Sequence, residues 1–366
     1  MSLINFRGDL ISALIENNYE VLCAAPALRQ TYIDKIEALG AKTVEFDLQR
    51  TGLDPFKDLD SIAQLKKIIV EHKVDLVFPY TIKPVVYGSI AARKYNVPVV
   101  SLITGLGFTF SGVTLKARLL QQITQKMYRY ALRKNKVVIF QNQDDRQLFL
   151  DKKIVSRQQR TEVVDGSGIN LQRFDFRVSK KQAGDTLRFI IVGRLIKEKG
   201  VGLYIDAAKK LKSQFKNVEF HLIGRPPDDN PSSLSETALS EYGTQGLVVY
   251  HGHQTNVISL LSKADIFVLP SYYREGVPRS ILEALSLGMP IITTLMPGCR
   301  ETVDDGKNGF LIPPEELEPL IEAMTFFLEN PHQVAEMGRE SRILAERKFD
   351  VNIINDQLLK LIGDSL

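Results

Sequence analysis

Short β-rich runs alternate with helix-patterned segments along the whole chain, and this alternation narrows the fold more than any other feature. In the first half the runs fall at 21–25 (VLCAA), 43–46 (TVEF), 75–79 (DLVFP), 97–103 (VPVVSLI) and 137–141 (VVIFQ). A second series falls at 187–193, 218–224, 247–252, 265–270, 290–294 and 309–313, and helical patterns with a break at Asn330-Pro331 fill the rest. Strands separated by crossover helices build parallel sheets covered on both faces. The pattern breaks at Asp165-Gly166-Ser167-Gly168, and the polar, basic stretch from there to Asp185 reads as an interdomain linker. The expected class is α/β, with two Rossmann-like domains at 1–170 and 171–345 and a C-terminal helix at 346–366 that packs back on the first domain. No internal repeat is visible, so the two domains share architecture without readable identity.

The amino-terminal end departs from this scheme. A doubly wound half begins strand, loop, helix, whereas Met1-Ser2-Leu3-Ile4 is followed at once by a segment already patterned as loop and first helix. The expectation is that the first strand of this domain is missing. Its lane is central, so the strands at 21–25 and 75–79 would stand roughly 9–10 Å apart. A reading frame starting further upstream, or a truncated copy, would account for this.

Composition limits the function classes. At 366 residues and 44% hydrophobic content, the chain can bury two ordinary cores and is not a disordered protein. Its two cysteines, Cys23 and Cys299, are far apart and offer neither a disulfide framework nor a metal-ligand spacing, which fits a reducing cytoplasm. No run approaches the length of a membrane span, and no secretory signal opens the chain. The net charge is +4, but residues 1–170 hold 24 Lys plus Arg against 17 Asp plus Glu (+7), and residues 171–366 hold 23 against 26 (−3). The first half thus suits an anionic neighbour: a membrane surface, a phosphorylated acceptor or a nucleic acid. Nucleic acid is disfavoured, because the basic residues lack interleaved aromatics for base stacking.

Two segments of the second half carry phosphate chemistry. In VGRLIKEKG, Arg194 and Lys199 lie just past a strand, where the loops of an α/β sheet form ligand crevices. Arg can fork onto phosphate oxygens and Lys supplies a point charge; two solvated loop cations are the bland alternative. In SYYREGVPRSILEALSLGMP, Gly276 permits close backbone approach and Pro278 suits the start of a helix whose free N–H groups meet phosphate. Glu275 precedes that helix and Glu283 lies on it. A carboxylate can accept bonds from vicinal sugar hydroxyls, although Glu283 can equally pair with Arg279 at i,i+4. In the first half, Lys83 of YTIKPVVYG is a candidate donor or acceptor contact, with a solvated lysine as its alternative. His251 and His253 alternate along a strand, but no third ligand makes them a metal site.

Residues 115–137 hold seven Lys or Arg and no acidic residue, with Leu115, Leu119, Leu120, Ile123 and Met127 at helical spacing. Arg118, Lys126, Arg129, Arg133 and Lys136 fall on another face. The expectation is an anionic membrane surface as partner; a core helix with a solvated basic face is the alternative.

Taken together, E-x7-E from Glu275 to Glu283, preceded by Arg194 and Lys199 in G-R-x4-K-G, resembles glycosyltransferase family 4. The likeness extends over GSGINLQRF at 166–174, HGH at 251–253, DIFVLPS at 265–271 and PGCRETVDDGKNGFLIPP at 297–314. It points to bacterial enzymes that extend undecaprenyl-diphosphate-linked oligosaccharides for glycoprotein, O-antigen or capsule assembly. The resemblance implies a GT-B fold, with parallel sheets facing across a cleft, and a retaining mechanism with no obligatory metal and no other cofactor. It also implies a UDP-activated hexose or N-acetylhexosamine donor and a lipid-linked saccharide acceptor. Arg194 and Lys199 would hold the donor diphosphate, Glu283 the ribose, and Glu275 with the backbone of Gly276 and Val277 would face the sugar and phosphates; Arg194, Lys199 and Glu275 would be the catalytic set. Many members place a histidine where this chain has Thr104-Gly105-Leu106-Gly107, so contact with the donor sugar there falls to Thr104 or Gly105. The place implied is the inner face of the cytoplasmic membrane, as a peripheral protein. A GT-B nucleotide-sugar epimerase and a non-catalytic GT-B-like protein are the competing readings, and E-x7-E with the upstream Arg and Lys argues against the first.

Overall fold

The structure, a computed structural model, describes residues 2–49, 54–107, 115–176, 178–179, 181–227 and 233–366. It divides into two compact units, residues 1–168 with 351–366, and residues 169–350.

In the first unit, helix α1 (Ser2–Glu16) occupies the amino-terminal end, followed by β1 (Leu22–Ala25), α2 (Gln30–Glu37), β2 (Lys42–Glu45), α3 (Pro55–Glu71) and α4 (Ile82–Arg93). Then come β3 (Val100–Ile103), α5 (Leu115–Leu132), β4 (Val137–Phe140), α6 (Gln143–Asp151) and β5 (Thr161–Val163). The strands form two sets, parallel β1–β2 and parallel β3–β4–β5. The expected strand at 75–79 appears only as single parallel bridges, Val77 to Val99 and Tyr80 to Leu102. Pro79 and Pro98 each lack an N–H, which shortens any ladder here. Among the described residues no ladder joins β1 to this segment.

Alternation along β3 and β4 explains the layering. Ile103, Val138 and Phe140 face a core shared with α4, α5 and α6. Val100, Leu102, Val137 and Ile139 face the opposite way, onto Leu10 of α1 and onto Ile354, Leu358 and Leu361. The last three belong to α13 (Val351–Gly363), so the chain's final helix covers one side of the first sheet. Continuously apolar strands are what a sheet covered on both faces requires.

The second unit contains β6 (Leu187–Val192), α7 (Val201–Gln214), β7 (Val218–Ile223), α8 (Glu236–Thr244), β8 (Val249–Tyr250) and α9 (Ile258–Leu261). These are followed by β9 (Ile266–Leu269), α10 (Arg279–Ser286), β10 (Ile291–Thr294), β11 (Gly309–Ile312), α11 (Leu317–Glu329) and α12 (Gln333–Leu344). A π-helical turn at Ala345–Phe349 ends it. The sheet is parallel throughout, in the order β11-β10-β9-β6-β7-β8. Strand order therefore reverses between β6 and β9. The loops leaving these two neighbours diverge to opposite faces, which opens a crevice at their carboxyl ends.

The stretch up to Asp185 is no linker. Ser179 and Lys181 both reach the buried Asp265 carboxylate, at 2.9 and 3.0 Å, and so belong to the second unit. The chain crosses from the first unit to the second at 168–169 and returns at 350–351.

Candidate active site

The crevice between β6 and β9 gathers the residues singled out in the second half. After β6, Lys197–Lys199 form a 3-10 turn that ends on Gly200, whose φ of 74° is left-handed. A Cβ at Gly200 would lie 2.1 Å from the Pro270 carbonyl oxygen, so only glycine lets this turn settle against the end of β9. The Glu198 carbonyl then accepts the N–H groups of Tyr272 and Tyr273, at 2.9 and 3.1 Å, and the Ser271 hydroxyl at 3.2 Å. Three bonds on one oxygen lace the two loops together.

This lacing presents Lys199 to Glu275, and the two form an ion pair, with side chains only 10% and 14% exposed. Partial burial strengthens their attraction and makes either charge costly to leave alone. Arg194 is exposed at the same edge, with its guanidinium 5.5 Å from the centre of the Tyr273 ring. The arrangement offers an anionic ligand one buried ammonium and one accessible guanidinium.

Gly276, Val277 and Pro278 are buried, and the Val277 side chain belongs to the core, which leaves only its backbone for a ligand. Pro278 stands at the N-cap rather than inside the first turn, and α10 begins at Arg279. Opposite lies Gly298, φ 87°, where a Cβ would come within 1.5 Å of the Gly276 carbonyl oxygen. The Glu301 carboxylate accepts the Gly298 N–H at 2.6 Å and fixes that loop. Sequence reasoning did not single out this support, though glycine followed three residues later by glutamate is its visible trace.

On α10 the Arg279 Nε donates to Glu283 at 3.3 Å, so the i,i+4 pair is formed. Burial is the main influence on Glu283 and raises its carboxyl pKa, with the Arg279 charge working against it. A carboxylate held this way retains one oxygen for a hydroxyl ligand.

Of the remaining candidates, Lys83 lies in the first unit and pairs with Asp58 at 3.1 Å rather than standing in solvent. Thr104 and Gly105 directly follow β3, at the edge where the neighbouring segment 77–80 also ends. His251 bonds to His221, ring nitrogens 2.9 Å apart, and His253 is exposed. Among the described residues no group of three acidic, histidine or cysteine side chains could hold a metal.

Comparison with known proteins bears on the family and the fold. The family described as Glycosyl transferases group 1 matches residues 172–343, and that described as Glycosyl transferase 4-like matches residues 5–142. A Campylobacter jejuni N,N'-diacetylbacillosaminyl-diphospho-undecaprenol alpha-1,3-N-acetylgalactosaminyltransferase is 27% identical, covering 98% of this chain and 95% of its own. An Escherichia coli UDP-Gal:alpha-D-GlcNAc-diphosphoundecaprenol alpha-1,3-galactosyltransferase is 25% identical over 73% of this chain and 70% of its own. Among solved structures, the Anabaena protein HepE in complex with UDP-glucose superposes with a TM-score of 0.77 at 20% identity, covering 97% of this chain and 95% of its own. A glycosyltransferase from Rickettsia africae gives a TM-score of 0.78 at 16% identity, covering 99% and 94%. With matching families along both units, this fold, and the Lys199–Glu275 crevice, the chain belongs to glycosyltransferase family 4, a retaining family of GT-B enzymes.

Proposed function

We propose that the protein moves a hexose or N-acetylhexosamine from a UDP-sugar to a hydroxyl of a lipid-linked saccharide during surface glycan assembly. The observation that carries this reading is the juxtaposition of Lys199 with Glu275 at the β6–β9 crevice, with Arg194 on the same edge. When the bond between the anomeric carbon and the diphosphate breaks, negative charge grows on phosphate oxygens, and fixed cations there stabilise the transition state more than the ground state. Arg194 and Lys199 are suited to that task. Glu283, with one oxygen on Arg279, is suited to accept the ribose hydroxyls.

In the proposed chemistry the departing phosphate oxygen takes the proton of the acceptor hydroxyl while the acceptor oxygen bonds to the anomeric carbon from the same face. Atoms and charge balance without a protein nucleophile. The acceptor class rests on the relatives from Campylobacter jejuni and Escherichia coli, whose names specify undecaprenol-diphosphate sugars. Among the described residues no helix is long and apolar enough to cross a membrane. We place the protein peripherally on the inner face of the cytoplasmic membrane, where a lipid-linked acceptor presents its saccharide.

Helix α5 suits that surface in a way the sequence reading did not draw. The apolar residues and cations do not separate onto two faces. Thr124, Tyr128, Ala131 and Leu132 point into the core, whereas Leu119, Ile123 and Tyr130 are exposed among Lys126, Arg133, Lys134 and Lys136. An exposed apolar row set among cations is what an anionic interface binds. The side chains of Leu115 and Arg118 lie outside the described residues. Arg129 donates to the carbonyls of Lys152 and Lys153, each at 2.7 Å, so its role is tied to the end of α6.

The test of the proposed function is a panel of UDP-sugars offered with fluorescent polyprenyl-diphosphate saccharides, with products identified by mass spectrometry. A new glycoside from one donor supports it. Formation of an epimerised sugar, still UDP-linked or released, with no glycoside from any acceptor would favour an epimerase.

A further inference from the structure

The first unit holds its own concentration of buried charge. It lies at the starts of α3 and α4 and in the turn between residues 80 and 83. Helices that follow parallel strands begin at the carboxyl edge of the sheet, where α/β ligand crevices form.

Three observations single out this edge. The Asp58 carboxylate and Lys83 ammonium pair at 3.1 Å with side chains 13% and 16% exposed, and the ammonium stands 5.9 Å from the centre of the Tyr87 ring. The Tyr87 hydroxyl is buried, its residue 1% exposed, and it completes no hydrogen bond of good geometry; burial first, and then the Asp58 carboxylate as a nearby acceptor that it does not fully engage, raise its pKa. An orphaned hydroxyl in a native interior calls for a partner that arrives at another stage. Finally, Thr81, the N-cap of α4, has φ 67° and ψ 162°, a region that side-chain-bearing residues avoid and that collects at ligand sites. Preceding that turn, Tyr80 carries on its face the guanidinium of Arg7, a buried cation 5.0 Å from the ring centre.

We propose that Arg7, Lys83, Asp58 and Tyr87 form the acceptor subsite of this unit, built for the phosphate end of a phosphorylated saccharide. The proposal rests on the reading of the protein as a transferase to a lipid-linked saccharide. An arriving phosphate takes Lys83 from Asp58, with Arg7 as the second cation beside the turn. The released carboxylate turns to the waiting Tyr87 hydroxyl, so the broken ion pair is replaced by a charge-assisted hydrogen bond. The Asp58–Lys83 pair thus closes the subsite until an anion with sufficient charge opens it. An uncharged glycoside cannot make that exchange and binds less well.

The experiment compares two acceptors bearing the same sugar, a short-chain polyprenyl diphosphate saccharide and the corresponding phosphate-free alkyl glycoside, with inorganic pyrophosphate as competitor. In the wild type the diphosphate acceptor is preferred through KM, and pyrophosphate competes with it. In Lys83→Met that preference falls by about tenfold or more, the loss expected for one charged contact, whereas Lys83→Arg retains most of it. Tyr87→Phe raises KM for the diphosphate acceptor without lowering the thermal midpoint, because the hydroxyl it removes is unsatisfied in the free protein. A purely structural ion pair predicts unchanged discrimination between the acceptors in Lys83→Met, which would overturn the subsite; the lower midpoint that follows from leaving Asp58 without its cation is common to both readings. Unchanged KM in Tyr87→Phe would overturn the exchange. If no acceptor is glycosylated at all, direct titration of the polyprenyl diphosphate saccharide into wild type and Lys83→Met separates the two claims: equal affinities sink the subsite, and weaker binding to the variant upholds it while the transferase reading fails.

Discussion

Lys199 and Glu275 meet across the point where the strand order of the second sheet reverses, although 76 residues separate them in sequence. The contact exists because Glu198, between Lys197 and Lys199, anchors the loop that carries Glu275 through its carbonyl. In the proposed function a donor diphosphate therefore enters a site whose ammonium is already oriented and already paired. Preorganisation of this kind removes the reorganisation cost at the moment charge develops.

The expected consequence is strong coupling between the two residues. Lys199→Ala and Arg194→Ala each lose about 3 kcal/mol of transition-state stabilisation, read as a fall in kcat/KM. Lys199→Ala also leaves the Glu275 carboxylate partly buried without its cation, so its thermal midpoint falls, whereas that of Arg194→Ala, an exposed residue, does not. The double variant Lys199→Met/Glu275→Gln loses less than the sum of the single losses. Near-normal turnover in both alanine variants would remove the diphosphate assignment.

Glu283 gives a pH signature. Its carboxyl pKa is raised, first by burial, while Arg279 pulls it down. The ionised form is the one that accepts ribose hydroxyls, so nucleotide affinity is present above the raised pKa and weakens as pH falls through it. Glu283→Gln binds the free nucleotide less tightly at neutral pH and lacks this acid limb. Titrations of UDP between pH 5 and 8 on both proteins decide; parallel pH curves would take Glu283 out of the ribose site.

A different acid effect is expected on stability. The His251 pKa is lowered, mainly by burial and then by the charge of His221, with which it shares a hydrogen bond. Glu219 and Arg188 complete the row on adjoining strands: His221 to Glu219 at 3.2 Å and Glu219 to Arg188 at 3.0 Å. A histidine whose folded pKa lies below its unfolded value of 6.5 gives stability that is complete above that value and is lost as pH falls from there toward the folded pKa. Thermal midpoints of the wild type should drop across that window, and those of His251→Gln should drop less. Identical pH dependence would show that the pair contributes nothing.

The cysteines should be chemically silent in the folded protein. Burial pushes the Cys299 thiol up to about 12, with Glu275 adding to the shift, and pushes Cys23 up to about 11. Thiolate is the reactive form. At pH 8 a disulfide reagent should label neither thiol until denaturant is added, when both react. Rapid labelling of Cys299 in the native state would mean that the loop beside Gly298 opens.

Much of this site was legible before the fold. Apolar runs such as 187–193 and 265–270 mark buried parallel strands whichever residues surround them, and Arg194, Lys199, Glu275 and Glu283 stand in the loops and helix that follow β6 and β9. Other features were hidden for physical reasons. β5 has three residues, Thr161–Val163, too few to show a period, and the run at 75–79 is apolar yet pairs only at isolated bridges. Lys83 reads as a solvated lysine until α3 and α4 pack and bring Asp58, 25 positions earlier, against it. On helix α5 the period alone did not separate the membrane reading from the core-packed alternative, because which of the five apolar residues at helical spacing face solvent depends on packing: Leu119 is 61% exposed and Ile123 39%.

That exposed row makes the membrane prediction sharper than charge alone. Lys126, Arg133 and Lys136 are exposed beside Leu119, Ile123 and Tyr130, and the Arg133 guanidinium lies 4.6 Å from the Tyr130 ring centre. Each cation near an anionic surface contributes about 1 kcal/mol, so replacing all three with glutamine should weaken partitioning to anionic vesicles by roughly 100-fold. Replacing Leu119 and Ile123 with serine should weaken it separately, since apolar burial adds to the electrostatic attraction rather than depending on it. Salt should suppress binding of the serine variant strongly and that of the glutamine variant, which keeps Lys134, less. Liposome sedimentation at two ionic strengths, with phosphatidylcholine vesicles beside vesicles containing phosphatidylglycerol, reads all of these. Equal binding to the two lipids, or full retention of anionic-vesicle binding by the triple glutamine variant, would leave α5 as a core helix with a solvated outer face.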